Sequence, residues 1–283
     1  MGDPLPVPRW RQWLPRLLMI VLLTGACARQ PVTVLPPTAA PPTVAPSVPA
    51  KAEPVTRELV IGESVENRPL SLIEMGDGDD VVLIIASIHG DESAGTRLVE
   101  FLMTYLTRYP DLLDGRRVVI LPEINPDGRR RQSRYNARSV DLNRNFTADN
   151  RVNSETNGWF PLSEPESRTI AAVIEAYRPN RVITIHQPLA CIDYDGPAVE
   201  LARQMARYCH LPVRKLGARP GSLGSFVGLT LGIPIITFEM PASADDLVPD
   251  ALWRRYGPAI LAGIRYAEDR EVVWTFSETH PIP

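Results

Sequence analysis

Four short, continuous apolar runs constrain the fold of this 283-residue chain more than any other feature. They cover residues 81–86, 117–121, 181–185 and 233–238. Strands that are covered on both faces have unbroken apolar sequences, whereas half-exposed strands alternate apolar and polar residues. The four runs therefore predict the buried strands of a largely parallel sheet.

Helical patterns separate the apolar runs, and this alternation predicts the architecture. The predicted helices cover residues 92–107, 164–177, 196–209 and 247–267, and the predicted edge strands cover 58–61 and 69–74. We expect a single α/β domain over residues 56–270, in which a mostly parallel mixed sheet has helices on both faces. A content of 44% hydrophobic and 22% charged residues is typical of such a globular domain.

Polar residues follow each of the four predicted strands. His89, His186 and Glu239 come after the first, third and fourth runs, and the segment Asn125–Gly128 comes after the second. The carboxyl ends of parallel strands meet at one edge of a sheet, where the active crevice of an open α/β sheet forms. The sequence therefore predicts a functional site at that edge.

The residues at this edge include a set suited to a catalytic metal. His89 and Glu92 stand three residues apart at a strand-to-helix turn, and His186 follows a neighbouring strand. Two histidines and one glutamate are a known set of catalytic zinc ligands, whereas calcium and magnesium prefer oxygen ligands alone. We predict one Zn²⁺ ion here. The alternatives are a chance His-x-x-Glu pair and a hydrogen-bonded core histidine at 186.

Glu239 is predicted to be the general base. A carboxylate at the end of a buried strand is costly unless it has a partner or a task. Beside a metal it could take a proton from a water molecule and pass it to the leaving amine. The alternative is a glutamate in a structural salt bridge.

Five ordered motifs resemble those of the carboxypeptidase A-like zinc metallocarboxypeptidases, over roughly residues 58–265 of the sequence. The motifs are Ser87–Glu92, Asn125–Gly128, Val140–Phe146, Ile185-His186 and Thr237–Glu239. The resemblance implies the fold of that family and hydrolysis by a zinc-bound water.

The same resemblance implies roles for further residues. Asn143 and Arg144 match the pair that binds the terminal carboxylate of the substrate, and the planar guanidinium suits that ligand. Arg134 is the best match to the arginine that stabilises the oxyanion. Four other arginines compete for this role, or form a solvated basic face: Arg129, Arg130, Arg131 and Arg138.

One departure from the family narrows the expected substrate. Digestive members carry a tyrosine shortly before the catalytic glutamate, but residues 220–227 contain none. This stretch and residues 186–193 resemble the murein peptide amidases, which cleave the bond between γ-D-glutamate and diaminopimelate in peptidoglycan peptides. The alternatives are a carboxypeptidase or deacylase acting on other peptides or acylated amino acids, and a non-catalytic cell-wall-binding lipoprotein.

Diaminopimelate carries a second ammonium group, which needs an acidic partner. Asp193 and Asp195 are candidates because we expect them in a loop that leaves the strand beside His186. Loop capping by aspartate is the alternative. Cys191 and Cys209 could form a disulfide in an oxidising compartment, or remain free thiols.

The beginning of the chain predicts export. Arg9, Arg11 and Arg16 precede the apolar run 17–23, which has the form of a secretory signal and is too short for a membrane span. Small residues then lead into Cys27, as in a bacterial lipoprotein signal. We predict a signal peptide over 1–26, lipidation of Cys27 and a membrane anchor. Ordinary cleavage, which would give a soluble periplasmic or secreted protein, is the alternative.

A proline-rich segment follows the predicted signal. We interpret residues 27–55 as a tether in the extended polyproline conformation, and residues 271–283 as a C-terminal tail. The net charge of −3 gives no basic surface for nucleic acid. The expected partners are therefore a peptidoglycan-derived peptide and a membrane, with the enzyme on its periplasmic face.

Overall fold

A computed structural model describes residues 55–266, which form one mixed sheet of seven strands with helices on both faces. The strands are β1 (Thr56–Glu63), β2 (Pro69–Met75), β3 (Asp80–Ala86), β4 (Arg116–Leu121), β5 (Arg181–His186), β6 (Leu189–Asp195) and β7 (Ile235–Pro241). The α-helices are α1 (Ala94–Arg108), α2 (Pro126–Arg131), α3 (Pro165–Tyr177), α4 (Val199–Ala206) and α5 (Pro249–Ile264).

The strand order is β1-β2-β4-β3-β5-β7-β6. The four central strands, β4, β3, β5 and β7, pair in parallel. The flanking strands β2 and β6 pair antiparallel with this centre, and β1 pairs antiparallel with β2. The predicted single α/β domain with a mixed, mostly parallel central sheet is confirmed.

Successive residues of the central strands face opposite sides of the sheet, which explains their unbroken apolar sequences. In β3, Val82 and Ile84 belong to the core that the sheet forms with α1, α4 and α5. Leu83 and Ile85 belong to the second core, which α3 and a π-helical segment at Gly224–Thr230 cover. All four side chains are fully buried.

The local predictions differ from the structure at three places. Residues 189–195 form strand β6, although a loop was expected there. The predicted helix over 196–209 is shorter because Gly196 adopts a φ of +65°, which a right-handed helix excludes. Residues 126–131 form the short helix α2, which the sequence analysis did not predict.

Several sequence predictions lie outside the described residues. These are the signal peptide over 1–26, Cys27, the tether up to residue 54 and the tail over 271–283. Among residues 55–266, no helix has both the length and the apolar character needed to cross a membrane. Cys191 and Cys209 are both free thiols.

Two glycines of the sequence motifs let the site's backbone segments approach one another. A Cβ at Gly90 would lie 2.0 Å from the main-chain carbon of Gly128. A Cβ at Gly128 would lie 2.6 Å from the side-chain nitrogen of Asn125, which caps α2. The turn after β3 therefore packs directly on the first turn of α2, and only glycine fits at this contact.

We predict that Gly90→Ala lowers the free energy of unfolding by about 3 kcal/mol, because the new methyl group meets backbone that cannot move aside. Urea unfolding followed by circular dichroism measures the change. The control is Gly62→Ala, whose new Cβ would meet the side-chain hydroxyl of Thr169 at 2.8 Å. An equal loss of stability in both variants would contradict this account of Gly90.

Candidate metal centre and substrate cavity

The fold brings the predicted metal ligands together at the carboxyl edge of the sheet. His89 stands in the turn after β3, and His186 is the last residue of β5. These two strands are neighbours, with Ala86 paired to Ile185. Glu92 precedes α1, which begins at Ala94. All three ligand side chains are buried.

Glu92 lies between the two imidazole rings. Its Oε1 is 2.6 Å from Nδ1 of His89, and its Oε2 is 2.7 Å from Nδ1 of His186. The three ligand atoms lie within 4.8 Å of one another, and this trio is the one such group in the described part of the chain. The geometry therefore offers a metal site at the predicted residues.

The donor set and its electrostatics fit a divalent cation. Burial alone lowers the pKa of His89, but hydrogen bonds to Asp141 and Glu92 outweigh burial and raise it to about 9. Burial alone raises the pKa of Glu92, but His186 and His89 outweigh it and lower the pKa to about 2. The cluster thus favours positive charge between these groups, and two imidazole nitrogens with a carboxylate suit zinc.

Asp141 belongs to the site, although the sequence analysis gave it no role. Its Oδ1 is 3.1 Å from Nε2 of His89, the ring nitrogen that faces away from Glu92. Histidine ligands commonly donate this second N–H to a carboxylate, which fixes the ring and its tautomer. The aspartate in the motif Val140–Phe146 was the signal that pointed to this contact.

Arg134 is the arginine that the structure places beside the metal ligands. Its Nε donates to Oδ2 of Asp141 at 3.0 Å, and its Nη1 is 3.6 Å from Oε1 of Glu92. Arg134 lines the cavity above these ligands, whereas its four competitors do not: Arg129, Arg130, Arg131 and Arg138. Its role as oxyanion donor remains a prediction.

A cavity of roughly 480 Å³ opens onto the metal ligands. Asn143 and Arg144 line it, and their binding of the substrate's carboxylate stays a prediction. The Oδ1 of Asn143 accepts a hydrogen bond from the amide of Leu223 at 2.8 Å. This bond ties the predicted carboxylate-binding segment to the segment that precedes the π-helix.

Glu239 also lines the cavity, and its backbone pairs with His186 across β5 and β7. Burial is the main reason that the pKa of Glu239 lies above the usual value of a glutamate, and His186 opposes that rise. Its Oε2 accepts a hydrogen bond from the amide of Leu189 at 3.3 Å. No salt bridge to Glu239 occurs among residues 55–266, so nothing there supports its structural alternative.

Asp193 and Asp195 line the cavity from β6, not from a loop as predicted. Both are buried because β6 pairs antiparallel with β7 and carries them next to the site. Asp195 forms a salt bridge of 2.9 Å with Lys215, whereas Asp193 accepts a hydrogen bond from the amide of Leu216 at 2.8 Å. The two aspartates are therefore not equivalent.

Most of the segment over residues 216–224 lines the cavity, but the sequence analysis considered only its part from residue 220 onward and named no site residue in it. It lacks histidine and carboxylate, so no ligand pattern revealed it. Its end packs so closely on β6 that a Cβ at Gly224 would lie 2.4 Å from Oδ2 of Asp195. A glycine-rich stretch before a buried strand was the available signal.

We predict that Asp141→Asn weakens zinc binding by about 10- to 100-fold, because His89 loses the carboxylate that orients its ring. Competition with a chromogenic chelator measures the affinity without any assay of activity. Asp149→Asn is the matched control, since Asp149 is exposed near the same segment and contacts no metal ligand. Unchanged zinc affinity in Asp141→Asn would refute this role for Asp141.

Comparison with known proteins identifies relatives of this chain. The sequence profile of the zinc carboxypeptidase family matches residues 48–194. Murein peptide amidase A of Escherichia coli K12 is 36% identical over 182 residues, which cover 58% of this chain and 72% of that protein. Murein peptide amidase A of Vibrio campbellii is 32% identical over 205 residues, which cover 66% and 80% of the two chains.

Solved structures agree with this relationship. The murein-tripeptide amidase MpaA from Escherichia coli O157 superposes with a TM-score of 0.61 and 27% identity, covering 75% of this chain and 93% of that one. Carboxypeptidase A from Helicoverpa armigera shares the fold, with a TM-score of 0.64, 20% identity and coverage of 75% and 68%. With its metal-binding trio and its cavity at the sheet edge, the chain therefore belongs to the zinc carboxypeptidase family of hydrolases.

Proposed function

We propose that this enzyme is a zinc-dependent amidase that hydrolyses the bond between γ-D-glutamate and diaminopimelate in peptidoglycan peptides. The observation that carries the proposal is a single cavity in which the metal ligands lie beside Arg144 and Asp193. An arginine suits the free carboxylate of the released residue, and an aspartate suits its ammonium. The names of the two murein peptide amidases described above support the same substrate class.

In this proposal, His89, Glu92 and His186 hold one Zn²⁺ ion. When bound, zinc polarises the scissile carbonyl and lowers the pKa of a water molecule. Glu239 accepts the proton of the attacking water and delivers it to the leaving amine. Its raised pKa suits both directions of transfer, because the carboxylate holds a proton more readily than an exposed glutamate does.

The remaining residues orient the substrate. Arg144, with Asn143 beside it, binds the terminal carboxylate and so fixes the distance from the end of the peptide to the cleaved bond. Arg134 donates to the oxyanion, since its guanidinium reaches the cavity while Asp141 holds it in place. These contacts convert binding energy into orientation of the reacting carbonyl.

Asp193 is the better of the two aspartates for the ammonium of diaminopimelate. Lys215 already neutralises Asp195, whereas Asp193 has a single main-chain donor and no cation within salt-bridge distance among residues 55–266. A buried carboxylate without a cation is stabilised when an ammonium group arrives. The role that we expected for either aspartate therefore falls to Asp193 in this proposal.

We predict that Glu239→Gln lowers the rate of diaminopimelate release from the L-Ala-γ-D-Glu-diaminopimelate tripeptide by about 1,000-fold, because the general base is lost. Mass spectrometry of the products measures the rate, and the zinc content of the variant should equal that of the wild type. Removing zinc with a chelator should abolish release, and adding Zn²⁺ should restore it.

The outcomes separate the candidate functions. Cleavage of ordinary peptides without release of diaminopimelate would favour a carboxypeptidase of other substrates, or a deacylase. Binding of muropeptides without hydrolysis of any substrate by the zinc-loaded wild type would favour a cell-wall-binding protein. Retention of Glu239 beside an intact metal trio favours hydrolysis, because a binding protein has no use for a general base.

We further propose that the enzyme is exported and anchored to a membrane through lipid on Cys27, with its substrate in the periplasm. The support is the sequence alone: a basic start, a short apolar run and small residues before Cys27. In this arrangement the proline-rich segment holds the catalytic domain away from the membrane surface.

We predict that wild-type protein enters the membrane fraction with a mass raised by lipid, and that Cys27→Ser releases it into the soluble fraction. Fractionation, immunoblotting and mass spectrometry measure both properties. Cys209→Ser is the control, because that cysteine lies within the catalytic domain. Wild-type protein that is soluble and unlipidated would support ordinary cleavage instead.

A further inference from the structure

The charged groups that line the cavity divide into those with a partner in the protein and those without one. Arg134 is paired with Asp141, and Asp195 is paired with Lys215. Glu92 contacts both histidine ligands, and Glu239 is assigned to proton transfer. Three charged side chains of the cavity wall remain: Arg144, Arg219 and Asp193.

Arg219 has a fixed backbone and a free side chain. Its carbonyl oxygen accepts hydrogen bonds from the amide of Ser222 at 2.9 Å and from the hydroxyl of Ser225 at 2.7 Å. Its guanidinium has no carboxylate or carbonyl partner within residues 55–266, and the residue is exposed at the cavity. The structure therefore holds an uncompensated positive charge at this wall.

Arg144 is the second arginine of the cavity wall that has no carboxylate within salt-bridge distance among the described residues. Its Nη1 donates to the carbonyl oxygen of Asn143. Burial lowers the pKa of Arg144, and the charges of Arg134 and Arg219 lower it further, against the opposing effect of Asp141. Two arginines that repel each other across one cavity are stabilised by anionic groups placed between them or against each.

The unpaired charges of the cavity wall can all be matched, with opposite sign, by the charged groups of one amino-acid residue. Two guanidinium groups call for two carboxylates, and the single carboxylate of Asp193 calls for one ammonium. A diaminopimelate residue acylated on one amine carries two free carboxylates and one free ammonium. A lysine residue in the same position has the ammonium but only one carboxylate.

We propose that Arg219 binds the distal carboxylate of the residue whose terminal carboxylate Arg144 holds, and thereby selects diaminopimelate over lysine. This inference rests on the proposed function and assigns it a specificity-determining residue. Arg144 and Arg219 then bind the two carboxylates, and Asp193 binds the ammonium that lies next to the distal one.

The test compares three γ-D-glutamyl tripeptides on the full, zinc-loaded chain. They end in meso-diaminopimelate, in diaminopimelate whose distal carboxylate is amidated, and in L-lysine. Wild-type kcat/KM should fall by about tenfold from the first peptide to the second, the size expected for one charge-assisted contact at a partly exposed site. Arg219→Ala should lose that preference through a higher KM, with kcat unchanged, and Arg219→Lys should keep part of it.

A neighbouring arginine provides the control. Arg214 is exposed just before the segment over residues 216–224 but does not line the cavity, so Arg214→Ala should keep the full preference of the wild type. Asp193→Ala should lower kcat/KM for both diaminopimelate peptides and for the lysine peptide to a similar extent, because all three carry the ammonium. If Arg219→Ala lowered kcat/KM equally for all three peptides, or for none of them, the role of Arg219 would be overturned.

A binding measurement separates this inference from the proposed function. If wild-type enzyme releases no residue from any of the three peptides, the proposed function fails. Calorimetric titration with free diaminopimelate and with free lysine then decides the inference alone. A ratio of the two affinities that Arg219→Ala leaves unchanged would overturn it, and a ratio that falls by about tenfold would support it.

Discussion

One carboxylate, Glu92, contacts both histidines that come from neighbouring parallel strands, and the rest of the site depends on that contact. The two Nδ1 atoms reach separate oxygens of the same group, at 2.6 and 2.7 Å. The close packing of α1 on the sheet makes this possible. A Cβ at Gly95 would already lie 3.3 Å from Cβ of Ala86 and from Cγ2 of Ile185, so a larger residue would lift the helix that follows Glu92.

Such a cluster buries charge, and the surrounding loops offset the cost with hydrogen bonds. Arg134 and Asp141, which contact the ligands, are carried by one irregular segment. That segment is held from behind by Asn136, whose side-chain nitrogen donates to Glu164 at 2.8 Å and to Glu166 at 3.2 Å. Two buried glutamates that never meet the cavity therefore help to position the groups that do.

The sequence predicted the ligand trio because each ligand follows an unbroken apolar run. The apolar run and the ligand residues after it are both local features of the sequence. Strand β6 was missed because its mixed sequence, Leu189–Asp195, becomes a strand only through antiparallel pairing with β7, more than forty residues later. The contact between Asp141 and His89 spans 52 positions and depends on how a loop folds back. In the sequence, Arg219 is an isolated arginine that belongs to no motif. Only the structure shows that it lines the cavity.

The cavity groups assigned to the reaction and those assigned to substrate binding differ in whether their charges are paired within the protein. Beside the metal ligands, the charged side chains other than Glu239 have partners in the protein: Arg134 with Asp141, and Glu92 with two imidazoles. Groups in such a network are already oriented and need little rearrangement during reaction. Elsewhere on the cavity wall, Arg144, Arg219 and Asp193 have no group of opposite charge within salt-bridge distance in the described chain. A substrate that supplies them completes the electrostatics of the site, so binding and selection both follow from charges that the fold leaves open.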